Sequence, residues 1–201
     1  MTDVNICLFG LSQSGKTTFS NIVRGGEFQE DFVETQSRTQ DRFTFTVDTI
    51  SFSGSIYDEP GNNFKDLKAT VSTYATSGLI HIFIGSEINP TDCKFIEHYI
   101  EQPQYKDCVN DDNLICVVMT KKDLAQDFDT TPVKAAADSY KGLFYELDLH
   151  DIEMVKKVFG EILSKYAEMK GIKSESKQES SKKSGKKDTS KKEKKGACVL
   201  F

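Results

Sequence analysis

The chain has 201 residues and a formal net charge of −5, with 37% apolar and 28% charged side chains, enough for one domain with a sizeable core and a tail. That charge is unevenly divided. Residues 171–201 hold ten Lys and four acidic side chains, net +6, which leaves 16 basic and 27 acidic groups in residues 1–170, net −11. An acidic body of that kind repels a phosphate backbone and is a poor candidate for nucleic acid. No nucleic-acid partner is expected, although a basic tail alone could bind one.

The first predicted element is a strand over Val4–Phe9. It runs into Gly10-Leu11-Ser12-Gln13-Ser14-Gly15-Lys16-Thr17, a G-x-x-x-x-G-K-T loop, and then into a predicted helix over Lys16–Arg24. The two glycines permit a backbone path in which successive N–H groups point at an anion. Lys16 brings a mobile charge for β- and γ-phosphates, the Thr17 hydroxyl can ligate Mg²⁺, and the helix adds its positive N-terminal dipole. Ser12, Gln13, Ser14, Gly15, Lys16, Thr17 and Thr18 are therefore candidate phosphate-binding residues.

Strands over Phe43–Val47 and Thr49–Tyr57 read as an antiparallel hairpin around Asp48. Asp58-Glu59-Pro60-Gly61 follows, a D-x-x-G turn at a strand end. Its Asp can hold Mg²⁺ through water, and its Gly N–H can meet a γ-phosphate. A helix over Phe64–Ala75, a strand over Leu79–Gly85 and a helix over Thr91–Gln102 come next. The strand Leu114–Met119 ends in Thr120-Lys121-Lys122-Asp123. A carboxylate there can accept two hydrogen bonds from N1–H and the 2-amino group of guanine, a pair that adenine lacks. Lys121 can lay its stem along the base; the bland alternative is a polar strand-to-helix turn. A helix over Pro132–Tyr140, a strand over Leu143–Leu147 and a helix over Ile152–Met169 complete the body. The last helix carries an apolar stripe of Ile152, Val155, Val158, Phe159 and Ile162. The expected fold is α/β, a six-stranded mostly parallel sheet with helices on both faces, and ligands in such folds sit at the carboxyl ends of the strands.

Cys7, Cys93, Cys108, Cys116 and Cys198 lack C-x-x-C spacing, so neither a disulfide framework nor a zinc site is expected. With no leader pattern and no membrane-length apolar run, the expected compartment is cytosolic. His81, His98 and His150 lack a nucleophile or metal partner and are expected to serve packing or solvation.

The three motifs, in this order and spacing, resemble the small GTPases of the Ras superfamily, a phosphate-loop NTPase fold, over residues 3–170 and again at Cys198. The stretch Phe9–Phe19, with Gly26-Glu27-Phe28-Gln29-Glu30-Asp31 after it, is most similar to Arf-like members. The resemblance implies GTP and GDP as ligands, Mg²⁺ as cofactor, and an exchange factor, an activating protein and effectors as partners. It places Phe28 against guanine and Asp148 and Leu149 in the base-supporting segment. Metal ligands are Thr17, Asp58 and a switch threonine, for which Thr35 lies 19 residues after Lys16 and Thr39 lies 19 before Asp58. Thr35 is the expected one. Gly61, Lys16 and Asn62 would carry the chemistry.

Several positions depart from the family pattern. Asn62 stands where a Gln orients the attacking water, one methylene short, and such misplacement costs about a hundredfold in rate. Ser12 replaces the Gly of Ras itself, no Gly follows either switch threonine, and Asp148-Leu149-His150 stands in place of S-A-K. Slow hydrolysis is the expectation.

Residues 171–197, rich in Lys and Ser, form an expected disordered linker. Residues 198–201, Cys198-Val199-Leu200-Phe201, form a C-a-a-X box whose terminal Phe points to geranylgeranyl on Cys198. With the lysines as second signal, a peripheral anchor on an anionic cytoplasmic membrane face is expected. Thr2 excludes N-myristoylation, so this end is like Ras, Rho or Rab proteins rather than Arf-like ones. Three functions follow: an anchored GTP/GDP switch regulating traffic or signalling, a hydrolysis-deficient adaptor that serves as a prenylated platform, and a phosphoryl-transferring kinase, for whose lid the chain has little room.

Overall fold

The computed structural model describes residues 1–61, 79–125 and 127–173. The strands are β1 (Thr2–Phe9), β2 (Thr39–Val47), β3 (Ile50–Asp58), β4 (Leu79–Ser86), β5 (Leu114–Thr120) and β6 (Leu143–Leu147). The helices are α1 (Lys16–Val23), α2 (Pro90–Glu101), α3 (Pro103–Lys106), α4 (Thr131–Ser139) and α5 (Ile152–Met169). The strands form one sheet in the order β2-β3-β1-β4-β5-β6, antiparallel at β2–β3 and parallel elsewhere. This is the expected six-stranded architecture.

Alternation along β1 explains why both faces of the sheet are covered. Val4, Ile6 and Leu8 join a core with Phe19 and Ile22 of α1 and Val155, Phe159 and Ile162 of α5. Cys7 and Phe9 point into a second core with Phe83, Ile96, Tyr99, Tyr105 and Val133. β5 is buried at every residue, as a central parallel strand must be. On the first face the Phe159 ring makes edge contacts with Phe19, Phe43 and Phe45 at centroid distances of 6.2, 5.6 and 5.0 Å, tying α5 to α1 and β2.

Most ends fall within one or two residues of expectation; the larger departures are a longer β2 and an additional short helix. β2 begins at Thr39 rather than Phe43, because Thr39–Arg42 pair with Ser55–Asp58 while mostly exposing polar side chains, which leaves no apolar alternation to read. α3 was not signalled by periodicity, since four residues span barely one turn. The helix expected at Phe64–Ala75 lies outside the described residues.

Register brings the functional segments to one edge. Leu8 lies opposite Asp58, Phe9 opposite Phe83, Ser86 opposite Thr120, and Thr120 opposite Leu147. The chain therefore leaves β1, β3, β5 and β6 at the same edge of the sheet, with β4 between β1 and β5, and the loops that follow converge.

Within the second core His81 is fully buried, with Nδ1 2.8 Å from the Tyr105 hydroxyl. Burial lowers its pKa to about 4. An unfolded chain binds this proton near pH 6.5 and the folded one only near 4, so between those values acid favours unfolding. Asp92, whose pKa burial raises to about 6, acts in the opposite direction over this range, so the readout is a difference. Between pH 7 and pH 4.5, urea titrations should show wild type losing about 2 kcal/mol more stability than His81→Gln. Equal acid losses in both proteins would place the sensitivity elsewhere.

Candidate nucleotide site

At the carboxyl edge lies a cavity of about 290 Å³. Its walls come from the loop after β1, the segment between α1 and β2, Gly61, the turn after β5 and the loop after β6. Ser12, Gln13, Gly15, Lys16, Thr17, Thr18, Phe28, Thr35, Lys121, Asp123, Asp148 and Leu149 all line it. Nearly every residue singled out from sequence is thus brought into one space.

The loop geometry suits a polyanion. Gly10 has φ +155°, and a Cβ there would lie 2.1 Å from the Ile84 carbonyl oxygen, so only glycine permits this approach to β4. Gln13 and Gly15 are also left-handed, at φ 66° and 98°. Gly15 caps α1 with no side-chain hydrogen bond, so the first N–H groups of α1 retain donors for a ligand. Lys16 is buried, and its ammonium donates to the carbonyls of Gly10 and Leu11 at 2.9 and 2.8 Å. Burial lowers its pKa, while Asp58, Asp92 and Glu59 act the other way.

Three oxygen-bearing side chains meet beside it. The Thr17 hydroxyl lies 2.5 Å from Asp58 Oδ2 and 3.0 Å from the Thr35 hydroxyl. Asp58 is buried, and its Oδ1 has no hydrogen-bond partner among the described residues. Burial raises its pKa, against the Thr17 hydrogen bond and the Lys16 charge. A buried carboxylate oxygen without a partner beside two hydroxyls is a hard-oxygen donor set that fits Mg²⁺. Thr39 does not join this group: it opens β2, pairs with Asp58 through the backbone ladder, and its hydroxyl donates to Asp41.

Gly61 comes close to the phosphate loop. A Cβ on it would lie 2.0 Å from the Ser12 nitrogen, so any side chain would push the turn away. The neighbouring buried Glu59 carboxylate is ion-paired with Arg38, which links the Thr35 segment to this turn. At the other end of the cavity Thr120 does not line the space but holds its walls: its hydroxyl lies 2.8 Å from the Ser14 carbonyl oxygen and 3.1 Å from that of Gly85. Lys121, left-handed at φ 60°, turns the chain so that Asp123 faces the cavity. Asn62 and Cys198 lie outside the described residues, so neither is placed. His150, read from sequence as a packing or solvated side chain, instead lines the cavity. Its position directly after Asp148-Leu149 was the one signal available.

A phosphate loop between β1 and α1, at the carboxyl edge of a sheet with β2 antiparallel, defines a phosphate-loop NTPase of the small-GTPase class. The model of the Ras family matches residues 5–168, and the chain belongs to that family. No curated protein matches it. As a Ras-type GTPase it is a guanine-nucleotide-binding protein of a family with regulators and effectors.

Proposed function

We propose that the chain is a lipid-anchored GTP/GDP switch of low intrinsic turnover. The observation that carries this reading is a cavity lined at one end by Thr17 and Thr35, with Asp58 2.5 Å behind the Thr17 hydroxyl, and at the other end by Asp123. In it, the loop amides and Lys16 hold the β- and γ-phosphates. Thr17, Thr35 and Asp58 would hold Mg²⁺, which when bound neutralises charge on the phosphate oxygens. The Gly61 N–H binds the γ-phosphate and so reports whether it is there. Asp123 accepts the two donors of guanine, the Lys121 stem and Phe28 flank the base, and Leu149 and Asp148 support it. Loss of the γ-phosphate releases Thr35 and Gly61, and effectors read the difference.

Low turnover rests on Asn62, whose shortened amide falls short of an in-line water. Attachment rests on Cys198 and the lysines before it, which supply both of the signals that stable anchoring needs. Traffic or signalling at the cytoplasmic face of a plasma or internal membrane is the role these features fit.

The test is the nucleotide released by denaturing the purified protein, together with single-turnover GTP cleavage. GDP released, with cleavage slower than in relatives that carry Gln after the D-x-x-G glycine, supports the reading. Bound GTP without cleavage favours the hydrolysis-deficient platform, to which Asn62 and Asp148-Leu149-His150 lend weight. Cleavage at the rate of those relatives contradicts low turnover. Equal membrane association of the wild type and Cys198→Ser in cells contradicts the anchor.

A further inference from the structure

His150 occupies the base end of the cavity in a specific geometry. Its ring centroid is 4.0 Å from that of Phe28, with the planes 33° apart. Its Nδ1 lies 2.7 Å from Asp148 Oδ1, and the same oxygen accepts the His150 backbone N–H at 2.8 Å. One carboxylate thus fixes both the main chain and the ring of this residue. Asp123 is close by, since one ligand atom from each of Asp123, Asp148 and His150 falls within 4.8 Å of the others.

The spacing decides what His150 can do. A purine sandwiched between two rings needs about 7 Å from one to the other, twice the carbon contact distance of about 3.5 Å. At 4.0 Å no base enters between Phe28 and His150. His150 therefore backs Phe28 instead of facing it across the ligand. Phe28 needs such backing: it sits in an irregular segment after α1, and Glu27, Gln29 and Glu30 around it are exposed.

We propose that His150 is a positioning residue for the bound nucleotide: held by Asp148, its ring fixes the Phe28 ring as a wall of the base pocket. This rests on the guanine-nucleotide reading above. His150, tethered by Asp148, stands where the S-A-K pattern has a lysine, so the ring that backs Phe28 is one that the family pattern does not supply.

The experiment is the rate at which a fluorescent N-methylanthraniloyl-GDP leaves the full-length protein in excess GDP, with and without EDTA. His150→Ala should speed release about tenfold, and His150→Phe, which keeps the ring, by no more than about threefold. Because His150 acts through Phe28, the double variant His150→Ala/Phe28→Ala should release no faster than Phe28→Ala alone. The factor by which EDTA accelerates release reports the phosphate end and should be unchanged in His150→Ala. Release of His150→Ala at the wild-type rate, or multiplied effects in the double variant, overturns the inference. So does a changed EDTA factor, which would mean that the whole site has loosened. A wild-type protein that holds no GDP overturns the guanine-nucleotide reading itself, whereas GDP held equally by wild type and His150→Ala removes only the role of His150.

Discussion

Lys16→Ala is expected to lower affinity for GDP and GTP alike by roughly a hundredfold to several thousandfold. The ammonium is buried at the rim of the phosphate loop and lies 2.8–2.9 Å from two carbonyl oxygens of that loop. Burial of a cation is unfavourable, and the lowered pKa of Lys16 records it. A bound phosphate removes that penalty by giving the charge a partner in a site shielded from water. Truncation to Ala leaves phosphate oxygens there without a counter-charge, and breaking such a buried pair costs about 3–5 kcal/mol, with about 1.4 kcal/mol per tenfold in affinity. Equilibrium titration with fluorescent GDP and GTP, next to a thermal melt of the ligand-free protein, checks it. The melt should move little, because the desolvation cost removed with the buried ammonium offsets the two hydrogen bonds lost at Gly10 and Leu11. A protein that binds as tightly as wild type would show that Lys16 is not at the phosphates.

Gly61→Ala is expected to separate the two nucleotides. The new Cβ would stand 2.0 Å from the Ser12 nitrogen and 2.5 Å from the Leu11 carbonyl carbon, and both are backbone atoms that cannot swing aside. The turn must then retreat from the loop and take the Gly61 N–H away from the γ-phosphate position. A hydrogen bond to a charged group contributes about 1.5–3 kcal/mol, so GTP affinity should fall by about ten- to a hundredfold. GDP has no γ-phosphate, and its affinity should stay within about threefold of wild type. Competition of each nucleotide against fluorescent GDP measures both. Equal losses for GTP and GDP would mean that the turn supports the whole loop instead of reading the γ-phosphate.

The parts of the site that were legible in the sequence are those whose chemistry is local. The phosphate loop is a contiguous run in which two glycines, a lysine and a threonine each have a stereochemical reason, and the structure places Gly15, Lys16 and Thr17 around one cavity with Gly10 packed against β4 behind them. Asp58 and Asp123 could be found because one ends β3 and the other follows β5 by three residues, and strand ends in a parallel sheet share an edge. The choice between Thr35 and Thr39 was different in kind. Spacing from Lys16 and spacing from Asp58 disagree, and only the ladder pairing of Thr39 with Asp58 and the 3.0 Å approach of Thr35 to Thr17 separate them. His150 was missed for a related reason. A lone histidine after a strand has no periodicity, and its meaning depends on Phe28, 122 positions away in the chain and 4.0 Å away in space. The Arg38–Glu59 pair is equally hidden, since nothing local in either segment signals the other.

In the proposed switch the cavity selects guanine through Asp123 and binds phosphate with Mg²⁺. This is tested most directly by titrating nucleotide-free protein with GDP and with ADP, in the presence of Mg²⁺ and again with EDTA. A site built to pair two base donors rejects the analogue lacking them by roughly 10⁴-fold, so GDP should bind at least a thousandfold more tightly than ADP. EDTA should weaken GDP binding by about tenfold or more. Equal affinities for GDP and ADP, or GDP binding indifferent to EDTA, would contradict the account.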